Sequence, residues 1–360
     1  MKFGISFLPD CNPEMKSPEK WYEDALNIVE LIDHYGFYSV KITEHFFNPY
    51  GGYCGNPTVF LTAAAMRSKH LKLITGCVLP VFHNPLNVAS EIGMLDAISG
   101  GRAEVGFARA YMPYEFEKFG VSMNESRPRF VEFIKAVTTL WKEESASFEG
   151  DFFSFQHVSS MPRTVQRPHP PVWIAASATP ESFRWAGKEG FHLMVVPTIS
   201  DFQHFKSCLK IYKEEHEQAG HGEIREKFTL VYPMYIHEDL EKAHEHAKRY
   251  MKKYWRIWHD AASSWDNHSS EQYQNYSNMA AFLRQFTYTQ LVDENRILVG
   301  TPEMIADKLK QISEEFGVEY FTFQVDFGGM PYSMVQESLS LFKSRVMPQL
   351  EISAAMKASS

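Results

Sequence analysis

The sequence predicts an α/β protein, a (β/α)8 TIM barrel with insertions, on three observations. Eight short apolar runs alternate with helical patterns along the chain, as a parallel sheet requires, and the number eight favours closure into a barrel. The first run is followed by Pro9-Asp10-Cys11-Asn12-Pro13, nothing like the GxGxxG loop that usually accompanies the competing doubly wound sheet. Polar side chains gather just beyond the ends of the apolar runs, where such a barrel keeps its chemistry.

Residues 2–8 read as the first strand; they are too short for a signal peptide, and no small-residue cleavage site follows Pro9-Asp10. A helix is expected over 19–35. In the second strand, 38–43, Val40 and Ile42 alternate with polar neighbours up to Glu44-His45, and Pro49-Tyr50-Gly51-Gly52 cannot extend it. Strands at 71–79, 102–108, 172–175, 192–196, 229–236 and 320–325 follow. Helices are expected at 59–67, 85–98, 127–141, 180–189, 201–219, 239–254, 302–316 and 333–349. Two segments break the alternation. Residues 148–155 read as a small hairpin turning at Gly150. The stretch from about 255 to 295, rich in Ser, Asn, Gln and aromatic residues, is too long for a plain connection and reads as a mobile lid. The expected organisation is one barrel domain over 1–352 with a disordered tail at 353–360.

Composition narrows the function. The 360 residues are 44% hydrophobic and 22% charged, the balance of a soluble globular protein, and the formal charge of −8 disfavours nucleic acid, whose binding rests on basic surface. No stretch approaches the roughly 20 apolar residues that span a membrane. Cys11, Cys54, Cys77 and Cys208 are scattered and form no CxxC pair, which argues against a zinc site or a disulfide framework and points to the cytoplasm. The 15 histidines yield no metal set, and without a G-x-S-x-G elbow a serine hydrolase lacks its nucleophile.

The strand ends supply the candidates. His45, paired in sequence with the carboxylate of Glu44, follows strand two, and histidine is a residue type suited to proton transfer; the alternative is a buried histidine bonded to Glu44 that only closes a loop. Arg109 follows strand four. Ser177, Thr179 and Ser182 follow strand five, and Thr179 is placed as an N-cap with Pro180 at the first helical position. Free backbone N–H groups at that helix start, with an arginine on the neighbouring strand end, make a phosphate site. The competing explanation is ordinary capping, with Arg109 paired to Glu104 or Glu115.

The ordered motifs resemble those of the bacterial luciferase-like flavin monooxygenases, and in layout the luciferase α subunit. They run nearly end to end: Met1-Lys2-Phe3-Gly4, Ile42-Thr43-Glu44-His45-Phe46, Gly55-Asn56-Pro57, Val78-Leu79-Pro80, Ser99-Gly100-Gly101-Arg102, Val299-Gly300-Thr301-Pro302-Glu303 and Val346-Met347-Pro348. The resemblance implies a dimeric barrel that holds reduced FMN, supplied by a flavin reductase, at its C-terminal mouth. It implies oxygenation of a small hydrophobic substrate, an aldehyde or ketone, through a C4a-peroxyflavin. His45 falls on the family's catalytic histidine, with Glu44 beside it, and Arg109, Tyr111 and Ser177 fall on positions around the flavin phosphate. Thr75-Gly76 matches the place of a non-prolyl cis peptide under the flavin ring. Ala108 stands where luciferase carries a reactive cysteine, and Phe286-Thr287-Tyr288-Thr289-Gln290 lacks luciferase's functional lysines, which implies oxygenation without useful light. A deazaflavin (F420)-dependent oxidoreductase and a non-catalytic flavin-binding protein are the alternatives on the same fold. Ala63-Ala64-Ala65, on helix 59–67, allows close helix approach and is expected at a twofold interface.

Overall fold

The computed structural model describes residues 1–177, 179–197, 202–224, 226–273 and 286–351. Eight parallel strands close a barrel: β1 (Lys2–Phe7), β2 (Ser39–Ile42), β3 (Lys72–Thr75), β4 (Ala103–Phe107), β7 (Val172–Ala175), β8 (His192–Val195), β9 (Phe228–Ile236) and β11 (Tyr320–Gln324). The ring runs β1-β2-β3-β4-β7-β8-β9-β11 and returns to β1. The expected hairpin is present as β5 (Ala146–Glu149) and β6 (Ser154–Val158), paired antiparallel outside the barrel.

The helices are punctuated by their own sequence. Ser17, Asn56, Asn84 and Thr301 are N-caps whose side chains accept a backbone N–H of the first turn, and each is followed by proline. A proline there gives up only an N–H that would have no partner inside the helix. At the other end Gly36, Gly100 and Gly317 close helices with φ of 77°, 68° and 65°, a left-handed conformation that a Cβ disfavours. Along β1, Phe3, Ile5 and Phe7 face the helices. Phe7 meets Trp21 and Phe60 edge-on, with ring centroids 5.9 and 5.6 Å away. Each such ring contributes about 1.5–3 kcal/mol through the area it removes from water. Below the mouth the barrel is plugged: Trp173 donates to Glu104 at 2.6 Å, and Tyr320 bonds Ser39.

The structure revises several expected boundaries. The third strand ends at Thr75 rather than 79, and a cis peptide joins Gly76 and Cys77 just beyond it. That bond lies one position beyond Thr75-Gly76, since Gly76 N–H still donates to Ile42 O and keeps the residue in the ladder. A further strand, β10 (Leu298–Gly300), was not anticipated; its three residues are too few for a periodic signal. It pairs with the last part of β9, beyond the part that pairs with β11. The helix expected to stop at 254 runs from Leu240 to Ala262, because Tyr250, Met251, Ile257, Trp258, Ala261 and Ala262 continue its buried face. The first part of the expected lid is thus regular helix, followed by the short turns Ser263–Asn267 and Glu271–Tyr273. The expected tail, 353–360, and positions 274–285 lie outside the described residues. On the helix Pro57–Arg67, Ala64 and Ala65 pack inward, whereas Val59 and Met66 are 69% and 76% exposed.

Candidate active site

A pocket opens at the C-terminal mouth of the barrel, with about 1300 Å³ of space when its entrance is counted. Glu44, His45, Gly76, Ala108, Arg109, Tyr111 and Ser177 all line it, contributed by four different strand ends. Leu8, Leu79, Val196 and Val231 make its walls apolar, and Tyr254, Trp255 and Trp258 from the helix Leu240–Ala262 cover one side. Gly106 lets β4 approach β3 beneath it; a Cβ there would come within 2.2 Å of Thr75 O.

Two histidine–carboxylate pairs stand at the β2 end, and they are not the pair that sequence adjacency suggested. His45 Nδ1 bonds Glu115 Oε1 at 3.0 Å, and Phe46 N–H donates to the same oxygen at 2.9 Å. Glu44 accepts from Leu79 N–H at 2.6 Å and bonds His83 Nε2 at 2.9 Å. Each is taken instead by a partner distant in sequence that the fold brings to the β2 end. Glu115 is fully buried on the short helix Pro113–Phe119 and was considered above only as a partner for Arg109. With Nδ1–H given to Glu115, the lone pair of His45 Nε2 is left for the pocket. Its ring lies 4.9 Å from Tyr50 and 5.9 Å from Tyr111, and the Tyr111 hydroxyl donates to that of Tyr50 at 3.1 Å. Burial raises the Glu44 carboxyl above its ordinary value. For His83 burial works the other way, but the bond and charge of Glu44 outweigh it and the net shift is upward.

Across the mouth lies an anion corner. Arg109 Nη2 donates to Ser126 Oγ at 2.9 Å and to Gln272 O at 3.2 Å, and its guanidinium sits 4.5 Å from the Tyr273 ring. Its Nε–H is buried with no partner, and among the described residues no carboxylate pairs with it. Arg127, which the sequence reading passed over as part of a helix, lies beside it and donates to Ser182 Oγ at 3.3 Å. Burial, and then the Arg109 charge, push the Arg127 guanidinium below its ordinary value. Two cations held against each other with hydroxyls around them, one with an orphaned N–H, fit a phosphate group.

Thr75, Thr179 and Ser182 do not reach the pocket. Thr75 is buried, its hydroxyl donating to Gly106 O at 2.9 Å and accepting from Gly106 N–H at 2.8 Å, so it ties β3 to β4. Thr179 occupies the N-cap position of the helix Pro180–Lys188, but its side chain makes no capping bond. The sequence reading missed Ser6, Lys41, Cys77 and Gln324, which line the pocket from below. Strand position was their only signal.

Residues 1–320 match the family described as luciferase-like monooxygenase. A flavin-dependent trigonelline monooxygenase, oxygenase component, of Acinetobacter baylyi is 24% identical, covering 97% of this chain and 95% of that one. The alkanal monooxygenase alpha chain of Photorhabdus luminescens is 25% identical over 98% of both. Among solved structures, monooxygenase RslO1 from Streptomyces bottropensis superposes with a TM-score of 0.86 at 36% identity, covering 97% of this chain and 99% of that one.

Proposed function

Because this chain belongs to the luciferase-like monooxygenase family, we propose that it is an oxygenase that uses reduced FMN and O2 to oxygenate a small hydrophobic organic molecule of the aldehyde or ketone class. The observation that carries this reading is an apolar pocket with a phosphate-competent corner on one rim and a carboxylate-oriented histidine on another. Arg109 and Arg127, with Ser177 and the helix start at Pro180, would hold the phosphate. Tyr111, beside His45, would position the ligand between the two corners. A flavin held there would supply two electrons and activate O2, one oxygen atom going to the substrate and the other leaving as water. The chain contributes binding, orientation, a pocket from which Leu8, Leu79 and Trp258 exclude water, and a proton held or moved at His45 Nε2.

F420 also carries a phosphate, so the anion corner suits either cofactor; FMN is favoured because a relative that matches nearly the whole chain is a flavin-dependent oxygenase component. That kinship also supports a separate flavin reductase as functional partner, and no useful NADH oxidation by this protein alone. Val59 and Met66, with Met94 and Ile98 on the next helix, form an outward apolar face that supports a homodimer.

The test is His45→Ala. The variant should fold and bind FMN, since the phosphate grip lies on other strand ends. Substrate oxygenation should fall on the order of a hundredfold, with oxygen consumed to hydrogen peroxide instead. Oxygenation at the normal rate would leave His45 as a loop-closing residue and remove the proposal. Difference spectra on titrating FMN and F420 decide between the two cofactors.

A further inference from the structure

The underside of the pocket carries a row of hydrogen-bonding side chains that the oxygenase reading leaves unused. Ser6 on β1 is in register with Lys41 on β2 and with Gln324 on β11, so the three lie side by side across adjacent strands. Their neighbours Ile5, Phe7, Val40, Ile42 and Phe323 belong to the core outside the barrel, which sends the row inward. All three line the pocket and are 3%, 6% and 6% exposed. Gln324 Nε2 is buried with no hydrogen-bond partner. Among the described residues no carboxylate pairs with Lys41, and burial holds its amine below the ordinary value. The Lys41 stem runs against Gly76, where a Cβ would meet its Cδ at 3.0 Å. Gln324 Nε2 is thus an unpaired buried donor, and with Lys41 and Ser6 beside it in an otherwise apolar cavity it calls for a ligand rich in acceptors.

Position identifies the ligand's edge. The anion corner stands at the ends of β4 and β7, and in the closed ring β11, β1 and β2 lie across the mouth from it. FMN and F420 both place a phosphate at one end of a ribityl chain and a three-ring system at the other. In FMN only the dioxopyrimidine edge of that ring system offers carbonyl acceptors, C2=O and C4=O; the opposite, dimethylbenzene edge is apolar, whereas F420 carries a hydroxyl there. Two-electron reduction puts negative charge on the N1–C2=O side of this edge, and an ammonium is its natural counter-charge.

We propose that Ser6, Lys41 and Gln324 form the subsite for the dioxopyrimidine edge of the flavin, and that Lys41 makes the pocket prefer the reduced form over the oxidised one. The proposal rests on the FMN reading given above. It gives an oxygenase supplied by a separate reductase a means of capturing reduced flavin from a pool that also contains the oxidised form.

The experiment is anaerobic titration of reduced FMN, and titration of oxidised FMN, into the full chain and into Lys41→Met and Gln324→Leu, with the midpoint potential of the bound couple measured in each. Lys41→Met should weaken reduced FMN at least tenfold more than oxidised FMN, which lowers the bound potential by about 30 mV. Gln324→Leu should weaken both forms by similar factors. Retained binding of oxidised FMN reports that a variant is folded, and Lys41→Gln replaces Lys41→Met if the latter is not. If wild type binds flavin and Lys41→Met changes neither the affinity ratio nor the potential, the subsite assignment is wrong. The same holds if the variants bind both flavin forms normally and lose only substrate. Failure of wild type to bind FMN would overturn the FMN reading itself, and this inference with it.

Discussion

Replacing Arg109 with alanine should separate FMN from riboflavin. The guanidinium presents an unpartnered, buried Nε–H and an Nη2 already engaged with Ser126 and the carbonyl of Gln272. A hydrogen bond to a charged group contributes about 1.5–3 kcal/mol net, and Arg127 beside it remains to hold part of a phosphate. A loss of about 2 kcal/mol is therefore expected for FMN, a dissociation constant roughly 30-fold higher. Riboflavin lacks the phosphate and should stay within about twofold. Quenching of flavin fluorescence on titration into wild type and variant measures both constants. Arg109→Lys keeps the charge but not the planar fork and should fall between the two. Equal weakening of both flavins would show that Arg109 acts through its contacts to Gln272 and Tyr273, holding the segment Glu271–Tyr273 in place, and would refute a phosphate role.

Glu115→Ala should slow turnover about tenfold or more while leaving FMN affinity unchanged, because it removes the anchor of His45 Nδ1; unchanged steady-state oxygenation would count against the orientation role. Asp326 is buried beside Asp10, Asp24 and Lys16, and burial pushes its carboxyl up to about 7. The folded protein then keeps a proton that the unfolded chain gives up near pH 4, so stability falls as pH rises between these values. Asp326→Asn should stabilise the fold by about 3 kcal/mol more at pH 8 than at pH 5, read as a larger rise in Tm, and a pH-independent difference would contradict this. Met66→Glu, on the 76% exposed outward position of its helix, should shift sedimentation toward monomer if that face is the dimer contact; an unchanged dimer would exclude it.

The barrel was legible because strand and helix have different periods and because Ser-Pro, Asn-Pro and Thr-Pro pairs mark where helices begin. The pocket was legible through position alone: His45, Arg109 and Ser177 follow strand ends, and the pocket takes all three. What failed was partnership. Glu115 lies 70 residues from His45 and His83 lies 39 from Glu44, and nothing local announces either contact. Adjacency suggested Glu44 with His45 instead, but each is held by its distant partner. Lys41 was hidden for a different reason. Alternation with Val40 and Ile42 looks like a strand with one wet face, but a barrel buries both faces, and the polar residues turn toward its axis. Arg127 read as one more charged residue on a helix because its meaning depends on Arg109, which the fold brings beside it.

Cys77 has a consequence of another kind. It lines the pocket from the far side of Gly106, and burial pushes its thiol up to about 12. Thiolates, not thiols, are what oxidants attack readily. At neutral pH this sulfur stays protonated and slow to react. A site built to handle oxygen can thus keep a cysteine in its own wall with that sulfur held in its less reactive form.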